Sequence, residues 1–423
     1  MSLLPPYKFG QTVGRITQGY LAMDLEEFNE VPHLPNTHIL DNRIYTNQEI
    51  FKDEQTDIFM NTWLFVCHES ELPNAGSFRT TSAGGKPIII VKGNDGLIRS
   101  FYNICRHRSS PVVRTDAGCT KEFQCFYHLW TYDLEGACTG ITKPDGYRAV
   151  NLNKDKLGLI PIRTDVLAGL VFVCLGTETE TLREYLGDII EPIMEPLSAK
   201  KLDVFHFHRA DVKTNWKLWQ DNNSERYHSM LHVINRKTQP WVKGKTSPMK
   251  LRLGKNGHSG YWSDGNAEVD YAAGGYSGVS KGVLPGLREN EMRVINLFPD
   301  TMINMRSNVI RIDRMVPQEV GVTRIEWWGL GLEDVSEKTR SERLQHHNMF
   351  WGPTGRNLGE DVIAVEEQWT AMESEVVRYS ILAREEDLNP TDDANVRAYY
   401  QEWGKRTRRP PHSPFEVNSG ERN

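Results

Sequence analysis

The chain has 423 residues, a formal net charge of −6 and a pI near 6.1, so it has no basic surplus that would mark nucleic acid as its main partner. Hydrophobic content of 39% and charged content of 25% are those of a folded globular protein, long enough for one large or two to three ordinary domains. The longest nearly uncharged apolar run, AGLVFVCLG at 168–176, is too short to cross a bilayer. The start, MSLLPPYKFG, has no long apolar core after a basic region, so the expectation is a cytoplasmic protein with no membrane segment.

Residues 1–40 are proline-rich and irregular and read as a wrapping arm. Ile50, Phe51, Ile58 and Phe59 recur at helical spacing and predict a helix over 47–61. From Trp63 to about Val173 the pattern changes to short strands and turns. KPIIIVKGNDGLIRSFYNI reads as strand, Asn-Asp-Gly turn, strand; WTYDLEGACTGI reads as a second hairpin, and 168–176 as a buried strand. Beyond this all-β stretch the pattern is mixed. TLREYLGDIIEPIMEPL is helical, FHFHRADVK extended, and 215–233 helical. Nine glycines fall within 254–286, which predicts a mobile, irregular stretch. TMINMRSNVIRIDRMVP and VTRIEWWGLG predict neighbouring antiparallel strands, followed by helices over 336–349 and 360–382. The polar tail from 404, with its three prolines, is either disordered or packed on another subunit.

Six cysteines in a chain this long do not make a disulfide scaffold, which leaves metal binding or burial. YNICRHRSS and EFQCFYHLW supply Cys105, His107, Cys125 and His128, each turn offering one thiolate and one imidazole. A structural zinc site usually pairs Cys-x-x-Cys with a separate His pair. One ligand of each kind per turn instead suits a [2Fe–2S] cluster with two cysteines on one iron and two histidines on the other. A zinc knuckle is the alternative. Cys67 and Cys174 sit in apolar strands and read as core residues; Cys119 reads as a loop residue.

A second constellation lies in DNNSERYHSMLH, 221–232. On a helix, Asp221, Glu225, His228 and His232 fall within an arc of about 60° on one face. Two histidines four apart can hold one metal, but the zinc-protease pattern needs a Glu after the first, and Ser229 stands there. Two histidines with one carboxylate on a non-haem Fe(II) is the other common use, and GPTGRNLGEDVIAVEEQW offers Asp361 at the start of a helix. Taken singly, the two histidines are ordinary surface or core residues and Asp361 a helix cap. An electron-transfer cluster and an oxygen-activating site complement each other, and one chain carries residues for both.

These motifs resemble those of the large (α) subunits of Rieske non-haem iron ring-hydroxylating oxygenases, and the resemblance spans about 42–372. It rests on both Cys/His pairs, on IYTNQEIFKDEQTDIFMNTWLFVCHESELPNAGSFRT, on NWKLWQDNNSERYHSMLH and on GEDVIAVEEQ. It implies an α+β fold: an all-β Rieske [2Fe–2S] domain inserted in a helix-grip catalytic domain with an antiparallel sheet. The expected division is an arm over 1–44, a Rieske domain over 45–165 and a catalytic domain over 166–423. Cys105, His107, Cys125 and His128 would hold the cluster, and His228, His232 and Asp361 one Fe(II). Glu225 takes the place of the family's acid, Asp in many members, that links the iron site to a Rieske histidine of a neighbouring subunit. Asp221 would have a similar orienting role, with a plain surface carboxylate as the alternative.

The implied activity is dihydroxylation of an aromatic acid by O₂, with anthranilate, converted to catechol, as the expected substrate. Arg226 and Arg306 are candidates to meet the carboxylate, with surface salt bridges as the alternative. The rival activity is a monooxygenase or demethylase acting on an ortho-substituted benzoate, salicylate or terephthalate. An electron carrier or a zinc-stabilised binding module are the rival classes. Implied partners are a ferredoxin, an NADH-dependent reductase, two further copies in a homotrimer, and a small β subunit.

Overall fold

Two seven-stranded antiparallel sheets organise the chain in a computed structural model that describes residues 26, 29–176, 180–233, 236, 249–263, 282–288, 291–306 and 308–415. The first sheet runs Leu64–His68, Leu170–Cys174, Pro161–Leu167, Ile98–Tyr102, Lys86–Lys92, Ser77–Ala83, Ala117–Cys119. It contains the predicted strand-turn-strand and the predicted buried strand, and it continues past residue 165. A three-stranded sheet of Phe123–Gln124, Thr131–Tyr132 and Cys138–Gly140 stands beside it and includes the second predicted hairpin. Cys67 and Cys174 are fully buried in strands, as their settings predict; Cys119 is exposed but, against the loop expected for it, ends the edge strand Ala117–Cys119 and pairs with Ser77.

The second sheet runs Leu202–Val212, Val322–Leu332, Val309–Glu319, Thr301–Arg306, Met292–Leu297, Ser259–Ser263, Met249–Leu253. Side chains alternate between its faces. One face is apolar, with Ile303, Ile310, Ile312, Trp328 and Leu330 in a core shared with Tyr185, Ile189 and Ile193. The other face is buried as well but carries Asn304, Arg311, Asp313 and Trp327. An antiparallel sheet with only one core face shows polar residues to water. Burial of this polar face under helices is what a helix-grip fold uses to enclose a site. The glycines of WWGLGL admit the helix Glu337–Trp351: a Cβ at Gly331 would lie 2.2 Å from the Arg343 guanidinium, and one at Gly329 3.0 Å from the His347 ring.

Three helices are pinned to one another through a buried polar knot. Glu54 is fully buried and accepts from Lys217 Nζ at 2.6 Å, Trp216 Nε1 at 2.9 Å and Trp403 Nε1 at 2.7 Å. One carboxylate thus ties Gln48–Glu54 to Trp216–Ser224 and Ala394–Thr407. Three charge-assisted or indole donors satisfy a charge that would be costly alone.

Four expectations are corrected. The helix expected over 215–233 stops at Ser224, because Glu225 is extended (φ −124°, ψ 163°), and a short 3₁₀ turn, Tyr227–Met230, follows. The helix expected over 360–382 is Leu358–Glu373, ended by Glu375 at φ +56°. Tyr379–Ile381 beyond it is a strand paired with Ile39–Asp41 of the N-terminal arm. The start of the glycine-rich stretch is regular, with Ser259–Ser263 in the second sheet; 264–281 lies outside the described residues, as do 1–25 and 416–423. The helix expected over 47–61 is Gln48–Glu54 followed by a π turn, Gln55–Phe59. Among the described residues no helix is long and apolar enough to cross a membrane.

Candidate functional site

His228, His232 and Asp361 each offer one ligand atom, and these atoms all lie within 4.8 Å of one another. The break at Glu225 creates this arrangement. Asn215 caps the start of Trp216–Ser224 by accepting from Lys217 N at 3.1 Å, and fixes it in place through bonds from Nδ2 to the carbonyls of Tyr45 and Val320. After Ser224 the chain turns, and the Glu225 carboxylate accepts from the backbone N–H groups of Tyr227 and His228. The same carboxylate meets His228 Nδ1 at 2.9 Å. It therefore caps the 3₁₀ turn and orients the imidazole at once.

His232 is held in the same way by a residue that sequence reasoning missed. Glu360 Oε2 lies 2.9 Å from His232 Nδ1, and Oε1 accepts from Val233 N at 3.1 Å. A carboxylate at each Nδ1 keeps the proton there and leaves both Nε2 lone pairs for a metal. Asp361 Oδ1 faces those nitrogens, 3.8 Å from His228 Nε2 and 3.6 Å from His232 Nε2. That oxygen is buried without a hydrogen-bond partner, in the first turn of Leu358–Glu373. Unpartnered buried oxygens are rare, and a cation at this point would satisfy it. The donor set thus fits one Fe(II), which prefers imidazole and carboxylate with positions left open. The signal for Glu360 was its place beside Asp361 in GED.

Asp221 is not part of this group. It accepts hydrogen bonds from the hydroxyls of Tyr45 at 2.7 Å and Tyr400 at 2.8 Å. Burial of its carboxyl pushes its pKa up to about 7, although both tyrosines and Lys217 pull the other way.

The Cys/His pairs lie on two similar loops. Ser109 N bonds back to Cys105 O at 3.0 Å and Leu129 N to Cys125 O at 2.9 Å, with Ser109 and Leu129 both at positive φ. The His107 and His128 rings are 4.4 Å apart, and Trp130 stacks on His107 at 4.7 Å with planes 5° apart. Cys105 and Cys125 are almost wholly buried and lie together; burial, opposed by backbone N–H groups and reinforced by Cys105, pushes the Cys125 thiol pKa up. His107 Nδ1 is buried without a partner, while Nε2 meets the Tyr147 hydroxyl at 3.3 Å. Two adjacent buried thiols beside an unpartnered imidazole nitrogen fit a metal cluster rather than a core.

Arg306 and Arg311 converge on Trp351, with guanidinium carbons 4.4 and 5.5 Å from its ring centre. Arg311 is buried, bonds through Nε to Asp313 Oδ1 at 2.6 Å and through Nη2 to Asp313 Oδ2 and Asn223. Burial opposes its charge, but Asp313 and then Asp361 raise its pKa above the ordinary value. Arg226 Nη1 lies 3.8 Å from Met249 Sδ.

A β domain with paired Cys/His loops, joined to a helix-grip domain with a two-histidine, one-carboxylate set, defines a Rieske-type non-haem iron oxygenase. Comparison with known proteins agrees. Residues 62–153 match the Rieske [2Fe-2S] domain, and residues 199–402 match the ring hydroxylating alpha subunit (catalytic domain). The 2-aminobenzenesulfonate 2,3-dioxygenase subunit alpha of Alcaligenes sp is 37% identical over 90% of this chain and 97% of its own. The anthranilate 1,2-dioxygenase large subunit of Burkholderia cepacia is 26% identical over 77% of this chain and 81% of its own. Naphthalene 1,2-dioxygenase from Rhodococcus sp., solved with indole bound, shares the fold with a TM-score of 0.75 at 19% identity, covering 87% of this chain and 94% of that one. The chain belongs to the Rieske ring-hydroxylating oxygenase α subunits. Membership brings a [2Fe–2S] Rieske cluster, a mononuclear iron, and dependence on O₂, an organic substrate and electron-transfer partners in an oligomer.

Proposed function

We propose that this chain is the terminal component that dihydroxylates an ortho-amino aromatic acid, with electrons from NADH through a reductase and ferredoxin. The observation that carries the anionic substrate is the pair Arg306 and Arg311 on Trp351. Asp313 neutralises one guanidinium, and Arg306 has no carboxylate partner among the described residues, so one positive charge remains for a monoanion. The relatives named above act on an ortho-amino sulfonate and on anthranilate. An apolar arene such as naphthalene would leave the charge of half-buried Arg306 unmatched.

In this reading His228, His232 and Asp361 hold the iron, which when bound supplies the activation of O₂. Glu225 and Glu360 hold the two imidazoles in the ligating tautomer. Cys105, His107, Cys125 and His128 hold the cluster. In a homotrimer, Glu225 would accept a Rieske-histidine N–H from the adjacent copy while gripping His228, and so join the two centres. Arg306 orients the acid group, and Arg226 lines the approach beside Met249. Asp221 acts indirectly, by fixing Trp216–Ser224 through its tyrosines. For anthranilate, adding both oxygens at the carbons bearing carboxylate and amine gives a diol that loses CO₂ and ammonia to yield catechol. The division into an arm, a cluster domain and a catalytic domain, the cytoplasmic location and the small β subunit belong to the same proposal.

The test is purified protein with reductase and ferredoxin, ¹⁸O₂, and anthranilate, 2-aminobenzenesulfonate or aniline. The protein should carry about three irons and about two sulfides per chain. Products from either acid should contain two labelled oxygens before any loss of the acid group. A single labelled oxygen would move the reading to a monooxygenase, and oxidation of aniline in preference to both acids would end it.

A further inference from the structure

We propose that the hydroxyl of Tyr147 lowers the reduction potential of the cluster, as a positioning residue that acts through His107. The proposal rests on the reading of Cys105, His107, Cys125 and His128 as cluster ligands, and it is independent of which arene is the substrate. Tyr147 lies on the 3₁₀ run Pro144–Val150, bounded by two non-glycine residues in left-handed conformation, Lys143 at φ +50° and Asn151 at φ +45°. These sharp turns fold the run back on itself. Tyr147 thereby packs against the apolar core of the cluster domain and reaches a histidine 40 residues earlier in the chain.

The two ring nitrogens of His107 have different surroundings. Nδ1 is buried without a hydrogen-bond partner, whereas Nε2 meets the Tyr147 hydroxyl at 3.3 Å. A neutral ligating imidazole turns its bare nitrogen to the metal and keeps its one proton on the other. Nδ1 is therefore the nitrogen left for iron, and Nε2–H donates to the tyrosine oxygen. Trp130 stacks on the same ring at 4.7 Å with planes 5° apart, and meets Tyr147 edge-on at 6.2 Å. The indole fixes the plane of the imidazole, and the phenol fixes the direction of its N–H.

An acceptor on the outer N–H makes an imidazole a stronger donor to its metal. The gain is larger for the oxidised cluster, which carries more positive charge, than for the cluster that has taken up one electron. The hydroxyl therefore favours the oxidised form. Its effect opposes the exchange of thiolate for neutral imidazole, which raises the potential. At 3.3 Å the bond is longer than the usual N–H···O contact, so the effect is modest. A tyrosine that only filled space would have no such effect, because phenylalanine fills the same space.

The test is the midpoint potential of the full-length, cluster-loaded protein at one pH, from a mediated redox titration followed by the Rieske EPR signal. Tyr147→Phe keeps the ring and removes the hydroxyl. The equilibrium constant for one-electron reduction should rise about threefold to tenfold, an upward shift of about 30–60 mV at about 59 mV per tenfold. Tyr127→Phe is the comparison, since the Tyr127 ring lies 3.8 Å from the His128 ring but its hydroxyl bonds to neither cluster histidine among the described residues. Its potential should match that of the unaltered protein. An unchanged or lowered potential in Tyr147→Phe, loss of the cluster from it, or an equal rise in Tyr127→Phe overturns the role of Tyr147 and leaves the ligand reading in place. Absence of a Rieske signal from the reduced, unaltered protein overturns the ligand reading itself, and this proposal with it.

Discussion

Glu360 Oε2 lies 2.9 Å from Nδ1 of His232, while its chain neighbour Asp361 approaches Nε2 of the same ring at 3.6 Å. Two consecutive acids on one helix turn therefore address opposite nitrogens of one imidazole. Glu360→Ala removes the carboxylate that fixes the tautomer and frees the ring to rotate. Iron retention should fall by about 10- to 100-fold in affinity, with the Rieske EPR signal unchanged. Iron per chain after dialysis against a graded chelator series is the measurement. Retention equal to that of the unaltered protein would show that Glu360 does not support the ligand.

Glu225 makes the corresponding contact with His228, and it also caps the Tyr227–Met230 turn. Glu225→Gln keeps the length and the capping oxygen but cannot hold an imidazole proton as a carboxylate does. Product formation should fall by about 10- to 100-fold with iron and cluster contents retained. Because the proposed role is transfer between centres, cluster reduction by the reductase and ferredoxin should proceed at its normal rate while reoxidation in the presence of substrate slows. Slowed reduction with normal reoxidation would rule that role out.

The pH dependence of stability has a clear contributor in Asp221. Its carboxyl oxygen Oδ1 is buried and its pKa is pushed up to about 7, first by burial. The sign follows from a folded pKa above the unfolded one. The contribution is fully present below the unfolded pKa of about 3.9 and is lost as pH rises through about 7. Asp221→Asn retains an oxygen for Tyr45 and Tyr400 and removes the titration. Relative to this variant, the unaltered protein should lose on the order of 4 kcal/mol of stability between pH 4 and pH 8. Parallel urea unfolding curves at several pH values, at one metal content, test this; two curves that track each other would refute it.

Much of this site could be read from the order of residues. The two Cys/His loops are local motifs, and paired strands such as Lys86–Lys92 and Ile98–Tyr102 show their alternation and turn directly. The break at Glu225 could not be read that way. The run 215–233 has no proline, and its only signal is the set of contacts that the extended Glu225 makes with backbone N–H groups of the next turn. The helical stripe did group Glu225, His228 and His232, but for the wrong reason: the histidines meet because the chain leaves the helix. Asp221, which stays on the helix, points to Tyr45 and Tyr400, hydroxyls 176 and 179 residues away. Arg311 was equally hidden. In VIRIDRMVP it looks like the polar half of a half-exposed strand, and only the covering of that face by Trp351 and Trp219 makes it a site residue.

The buried pair Lys217–Glu54 sets how firmly the helix that leads into the iron site is anchored. Both side chains are wholly buried, 2.6 Å apart, and Glu54 also takes the indole N–H of Trp216 and Trp403. Burial lowers the Lys217 pKa, while Glu54 and, less strongly, Asp221 counter it, so the charge on Lys217 depends chiefly on Glu54. Lys217→Met leaves Glu54 charged and short of its strongest donor, at a cost of about 3–5 kcal/mol. Adding Glu54→Gln removes the uncompensated charge and keeps an acceptor for the indoles, so the double variant should recover more than half of that loss. Guanidinium unfolding of the two single variants and the double variant gives the coupling. Additive losses would mean that the two charges do not depend on each other, and that the indoles alone hold Glu54 in place.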